Sequence, residues 1–162
     1  MLTEDNLQQL YRYSYTLACN EHDAYDLLQS SLEKYLTKTS TDKNPLGYIK
    51  RIIKNQFIDN YRHNKLIDFD EYEDTIISFE GNIDELEKMI ITEDMVTTIL
   101  QSLSPDEREI IYYWAYEGYT AQQISDTTKT PRGTILSKLH RIRNRLCKQF
   151  DTENNHTLEA SL

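Results

Sequence analysis

Apolar residues recur every three or four positions along nearly all of the first sixty residues, the spacing of amphipathic helices rather than strands. Leu7, Leu10, Tyr11, Ser14, Leu17 and Ala18 make one such stripe. Thr3 and an acidic first turn predict where that helix starts. A second stripe runs through Ala24, Leu27, Leu28, Ser31, Leu32, Tyr35 and Leu36, while Asp26, Gln29 and Glu33 project from the other side. The polar run TKTSTDKN interrupts the pattern, and Pro45 suits the first turn of a third helix. There Leu46, Ile49, Ile52, Ile53, Phe57 and Tyr61 are placed to face a core.

The pattern resumes near the C-terminal end with clearer punctuation. Ser104, Pro105 and Glu107 spell a capping box ahead of PDEREIIYYWAYE, with Ile110, Ile111, Trp114 and Ala115 expected inside and Gly118 at the end. Thr120 then caps a short helix, AQQISDTT, that turns Ile124 inward. After a turn at Lys129, Thr130 is expected to cap a long helix with Pro131 at its first position. At about 100° per residue, Ile135, Leu139, Ile142 and Leu146 share one stripe of it. Thr134, Lys138, Arg141 and Arg145 share another, a quarter-turn away, expected to be cationic and open. A short helix, a tight turn and a long basic helix describe a helix-turn-helix.

Composition narrows the fold to an all-α class: two small helical domains joined by an acidic linker, the second a helix-turn-helix. Four glycines and three prolines in 162 residues supply too few turns for a sandwich or a doubly wound sheet. Two cysteines, Cys19 and Cys147, are too few and too distant for a disulfide framework or a metal set, and are read as buried thiols. MLTEDNLQQL lacks the basic flank and apolar core of a signal peptide, and no apolar run suits a bilayer span. A cytoplasmic protein without stable membrane insertion is expected.

Charge divides the chain more sharply than hydropathy does. Residues 1–66 carry nine Lys or Arg against eight Asp or Glu, residues 67–95 one against eleven, and residues 96–162 eight against eight. The formal net charge of −9 thus belongs to the middle. That middle reads as a solvated connector, or as a segment that threads a basic surface on a partner. It is no calcium loop, because Glu73 and Phe79 stand where the turn glycine and bidentate glutamate belong. The boundaries expected are a domain at 1–66, the linker at 67–95, a domain at 96–150 and a polar, fraying tail at 151–162.

Within this acidic chain, Thr130–Leu146 contains Arg132, Lys138, Arg141, Arg143 and Arg145 and no acid. A helix of that kind suits the major groove, where long donors reach phosphates and guanine edges and hydroxyls make shorter contacts. Arg132, Thr134, Ser137, Lys138 and Arg141 are the candidates; a basic helix serving solubility or a membrane surface is the plainer alternative. The third helix is basic too, and its aromatics suit exposed bases as well as they suit an ordinary solvated helix. No histidine, cysteine and carboxylate cluster marks a catalytic or metal site, and no glycine loop cradles a phosphate. Neither catalysis nor a cofactor is expected. A stand-alone helix-turn-helix regulator and an adaptor without DNA remain rivals; the first leaves the N-terminal module idle, the second leaves both basic helices unexplained.

Taken together these segments resemble the extracytoplasmic-function sigma factors of the bacterial sigma-70 family. DAYDLLQSSLEKYL resembles the family's polymerase-binding helix, with Asp26 and Gln29 on its pattern and Ser30 in place of the usual acid. GYIKRIIKNQFIDNYR resembles the promoter-melting segment, with Asn55, Asp59 and Arg62 matching and Tyr48 where Trp is usual. LSPDEREIIYYWAYEGYTAQQIS and TPRGTILSKLHRIRNRL resemble the domain that reads the upstream promoter element. Lys129 there replaces a turn glycine, Thr128 a leucine, and Leu136 a frequent basic residue. The resemblance implies that Asp26, Gln29 and Glu33 bind core RNA polymerase. It further implies that Tyr48, Lys50, Arg51, Lys54, Asn55 and Arg62 serve the −10 element, and the helix-turn-helix the −35 element of promoter DNA. Family members often have an anti-sigma partner. The acidic linker would then either mimic nucleic acid inside the polymerase or screen the two DNA-binding modules.

Overall fold

The computed structural model describes residues 2–38, 43–65 and 93–159, and every element within them is helical. The protein is all-α, as its periodicity requires. The chain divides into two compact units, Met1–Glu73 and Asp74–Leu162. The expected connector 67–95 lies outside the described residues except for its last three, which already belong to a helix.

The first unit packs three helices. α1, Glu4–Ala18, opens with a reciprocal capping box: Thr3 Oγ1 accepts from the Asn6 N–H at 3.3 Å, and Asn6 Oδ1 accepts from the Thr3 N–H at 3.1 Å. It ends at Cys19, whose φ of 55° is left-handed and whose N–H reaches Tyr15 O at 2.7 Å. Holding a non-glycine residue there costs about 1 kcal/mol. Asn20 follows at once as the N-cap of α2, Glu21–Thr37, accepting from the Asp23 N–H at 3.1 Å. α3, Pro45–Lys65, starts at the expected proline. Asn44 caps it, its Oδ1 accepting from the Gly47 N–H at 3.0 Å.

Leu10, Tyr13, Leu17, Ala24, Leu27, Leu28, Ile49 and Ile53 form the interior of this unit. Each large side chain removed from water contributes roughly 2 kcal/mol. The stripe read from spacing is too wide at its edges, since Leu7 is 38% and Leu36 76% exposed. Tyr13, assigned to no stripe, is 1% exposed. One polar knot joins α2 to α3: Gln56 Oε1 accepts from the Ser31 and Ser30 hydroxyls, and Gln56 Nε2 donates back to Ser30 Oγ at 3.1 Å. Ser31 is fully buried, so this partner is what makes its hydroxyl tolerable inside.

The second unit begins with α4, Glu93–Gln101, and α5, Pro105–Ile111. The box foreseen at Ser104 is present, with Ser104 Oγ accepting from the Glu107 N–H at 3.4 Å and Glu107 Oε2 accepting from the Ser104 N–H at 3.0 Å. α5 then widens into a π-helical turn, Tyr112–Tyr116, where the Glu117 N–H reaches back five residues to Tyr112 O at 3.2 Å. This extra residue per turn overturns the expected burial. Trp114 is 38% exposed and Ala115 is exposed, while Tyr112 and Tyr113 go inside at 2% and 4%. Gly118, at φ 68°, closes the turn, and the Tyr119 N–H bonds Tyr113 O at 2.8 Å.

α6, Ala121–Thr128, carries a second box between Thr120 and Gln123. Lys129 follows in the left-handed region at φ 57°, ψ 31°, and α7 runs from Arg132 to Glu159. Thr130 does not cap α7, contrary to expectation. Its hydroxyl faces Thr128 O at 3.5 Å, and the first helical bond joins the Ile135 N–H to Pro131 O at 3.1 Å, which makes Pro131 the cap. The helical backbone also continues well into the segment expected to fray. Leu103, Ile142 and Leu146 form a core against which Ile99 and Ile111 pack, and Ile124 and Ile135 are fully buried.

Candidate functional site

Burying Ala24, Leu27, Leu28 and Ser31 leaves the opposite face of α2 in water, and it carries Asp26, Gln29 and Glu33. Gln29 Nε2 donates to Glu33 Oε1 at 3.4 Å, and His22 Nε2 lies 3.4 Å from Asp26 Oδ2. All three residues singled out for a partner therefore share one exposed, acidic surface. The Ser30 and Ser31 bonds to Gln56 fix how this helix sits on α3.

On α3 the spacing of three, four and seven residues brings Tyr48, Arg51, Asn55 and Arg62 to one side. Arg51, Asn55 and Arg62 are exposed and Tyr48 is half-buried. Arg51 places its guanidinium carbon 5.5 Å from the Tyr48 ring centre, and the Tyr35 ring is 6.1 Å away. Lys38 donates from Nζ to the Tyr48 hydroxyl at 2.5 Å. Its 5.3 Å separation from the ring centre fits an ammonium beyond the hydroxyl rather than above the ring face. Lys38 was missed because it lies at the end of α2 beside a polar run with no periodicity.

Lys50 departs from the expected cationic track. It is only 8% exposed, and Nζ sits 5.7 Å from the Tyr13 ring centre, on the side of α3 away from Arg51. Lys54 is half-buried on the flank between them. The surface that α3 offers is thus narrower than its charge count suggests.

In the helix-turn-helix, Arg132, Thr134 and Ser137 are exposed on the first turns of α7. Lys138 and Arg141 are half-buried, and Lys138 Nζ lies 3.8 Å from Asp106 Oδ2. Arg145 is not part of an open stripe. It grips Glu107 through Nη1–Oε2 at 3.1 Å and Nη2–Oε1 at 3.4 Å, and it donates to Ser102 O at 3.3 Å. The α5 start thus ties down the basic face at two points, leaving the N-terminal part of α7 to meet a ligand. In the π turn of the same unit, Tyr112 donates to Glu117 Oε1 at 2.8 Å. Burial first, and that carboxylate second, push the phenol well above its ordinary value.

Among the described residues no group of three or more His, Cys, Asp or Glu could hold a metal ion. Cys19 is buried and Cys147 half-buried, both as free thiols. No helix among the described residues is long and apolar enough to cross a membrane.

Two family models match this chain in succession. Sigma-70 region 2 matches residues 2–67, which hold α1 to α3, and Sigma-70 region 4 matches residues 93–146, from α4 into α7. The chain belongs to the sigma-70 family.

Individual relatives agree with that membership. An ECF RNA polymerase sigma factor, SigE of Mycolicibacterium smegmatis, is 24% identical over 99% of this chain and 64% of its own length. The RNA polymerase sigma factor SigV of Bacillus subtilis is 25% identical over 85% of this chain and 81% of its own. The chain therefore spans about two thirds of the first of these sigma factors and four fifths of the second. Among solved structures, the sigma factor RpoE of Bartonella quintana, crystallised with the anti-sigma factor NepR, shares the fold. It matches at a TM-score of 0.60 and 23% identity, covering 90% of this chain and 92% of that one. Region 2 and region 4 of the sigma fold thus correspond to the two compact units.

Proposed function

We propose that this protein is a promoter-specificity factor: it joins core RNA polymerase and directs it to start transcription at particular sequences. The observation that carries this reading is the pairing of a region 2 unit and a region 4 helix-turn-helix, in family order, on one chain. The acidic face of α2 with Asp26, Gln29 and Glu33 serves as the polymerase contact. Tyr48, Arg51, Asn55 and Arg62 on α3, with Lys54 at the flank, hold the −10 strand as it opens. Unstacking a base step costs a few kcal/mol. A ring such as Tyr48 beside a guanidinium offsets this by stacking with an exposed base while the cation meets its phosphate.

Arg132, Thr134 and Ser137 on α7 reach the −35 element, with Lys138 and Arg141 behind them toward the backbone phosphates. An anti-sigma partner, as in the Bartonella complex, would be the natural means of holding such a factor inactive. The reading makes the protein a non-catalytic subunit acting where the polymerase acts, in the cytoplasm.

DNA binding with and without core polymerase separates this reading from a stand-alone helix-turn-helix regulator. Anisotropy of labelled promoter duplex is expected to rise sharply only when core enzyme and protein are both present. Tight sequence-specific binding by the protein alone would instead favour the regulator, because the chain would then need no enzyme to hold DNA.

A further inference from the structure

The first turns of α7 contain two residues that the fold does not explain. Leu136 is 43% exposed, although it stands between the fully buried Ile135 and the polar Ser137. Gly133 is the poorer choice for a helix, and neither of the usual reasons for glycine applies to it. Gly118 is needed for its φ of 68°, and at Gly47 an added Cβ would fall 2.8 Å from Asn44 Nδ2. At Gly133 the backbone is ordinary helix, and an added Cβ would meet nothing within 4 Å.

The two residues are three apart, hence neighbours on one face, and helical side chains lean toward the N-terminal turn. Leu136 therefore overhangs the bare backbone at Gly133. A small apolar step results, bounded by exposed Arg132 on one side and exposed Ser137 on the other. A glycine with no internal reason marks close approach by something outside, and an exposed leucine asks for an apolar partner. A cation, Arg132, flanks this step on one side and a hydroxyl, Ser137, on the other, so the approaching surface is anionic or hydrogen-bonding around a point that is apolar.

In the major groove only one base offers that combination: thymine, through its C5-methyl group. We propose that Leu136, seated over Gly133, reads the methyl group of a thymine in the upstream promoter element and is a specificity-determining residue of this factor. The proposal rests on the promoter-reading function given above. It assigns to Leu136 a discrimination between bases that a flanking arginine contacting phosphate does not supply.

The test uses holoenzyme reconstituted from core polymerase and the full chain. Upstream elements with randomised sequence are selected for transcription by wild type, by Leu136→Ala and by Gly133→Ala. Each thymine in the selected element is then replaced singly by uracil, which lacks only the methyl group. Wild type is expected to show one position, on either strand, where uracil lowers promoter binding about fourfold, the worth of one buried methyl-sized group. Leu136→Ala should lose the thymine-over-uracil preference there and keep the remaining motif. Gly133→Ala should weaken thymine and uracil elements alike. An element that wild type reads equally well with uracil at every position overturns the proposal without involving any variant. So does a Leu136→Ala protein that keeps the preference. If wild-type holoenzyme enriches no upstream motif at all, the promoter-reading function itself fails, an outcome distinct from the other two.

Discussion

Glu107 holds two structures together, and separating them gives a quantitative test of the second unit. Its Oε2 closes the capping box on the Ser104 N–H, and both carboxylate oxygens engage Arg145. The Glu107 side chain is 10% exposed and that of Arg145 45%. The pair is therefore partly screened, and a fully buried value does not apply. Glu107→Gln keeps an acceptor for Ser104 and removes the charge, which should cost about 1 kcal/mol. Glu107→Ala also strands the Ser104 N–H, for a total of about 2 kcal/mol. Arg145→Ala should match the glutamine variant, and the double variant Glu107→Ala/Arg145→Ala should show a coupling of about 1 kcal/mol. The chain has one tryptophan, Trp114, which lies in this unit, so its fluorescence in a urea titration reports the second unit separately from the first. With a slope of about 1 kcal/mol per molar urea, Glu107→Ala shifts the midpoint by about 2 M. Equal midpoints for Glu107→Gln and Glu107→Ala would refute the capping role. Additivity within about 0.3 kcal/mol would refute the ion pair as a source of stability.

Further outcomes follow from single residues. Lys129→Gly, which relieves a left-handed lysine at φ 57°, should raise the Trp114-monitored stability by about 1 kcal/mol, and no gain would mean the strain is absent. The Tyr112 phenol is held neutral above the ordinary tyrosine value of 10.0, so the unfolded chain releases this proton first as pH rises. Its contribution is complete below that value and is lost progressively above it. Alkaline urea titrations should therefore show a steeper fall for wild type than for Tyr112→Phe; parallel curves would contradict the assignment. Gln56→Ala, which leaves the buried Ser31 hydroxyl unpaired, should lower the first unit's stability by about 1–3 kcal/mol in circular dichroism melts of the full chain. An unchanged melt would show that the α2–α3 knot contributes nothing.

Local chemistry in the sequence was a reliable guide at most helix ends, with Thr130, which does not cap α7, as the exception. Thr3, Ser104 and Thr120 cap helices as their side chains predict, Pro45 opens α3, and Gly118 adopts the positive φ expected of a terminating glycine. Lys129 stands in the left-handed turn where the family pattern calls for glycine. Errors arose where a regular 100° step was assumed. The π turn at Tyr112–Tyr116 shifts the register, which sends Trp114 outward and Tyr113 inward. Nothing in YYWAY announces that insertion, and the contact that accompanies it, the Tyr113 ring stacked 5.3 Å from that of Tyr119, lies beyond the segment's own periodicity.

Charge was legible as a sum but not as a direction. Lys50 and Arg145 counted toward basic faces, yet one lies over Tyr13 and the other on Glu107. A long side chain near the edge of a stripe can bury its stem or swing to a neighbouring helix, and periodicity does not decide which. Those choices depend on tertiary partners, Tyr13 from α1 and Glu107 from α5, that the helix bearing the cation does not contain. Lys38, the converse case, joins Tyr48 only once α2 and α3 are folded together.

Run-off transcription with purified core RNA polymerase on genomic fragments, with and without this protein, tests the central claim most directly. Discrete new transcripts should appear with the protein, and they should vanish with the exposed-face variant Arg132→Ala/Thr134→Ala, while Lys50→Ala at the buried position acts only through stability. An unchanged transcript pattern, with no association between the protein and core polymerase, would contradict the account.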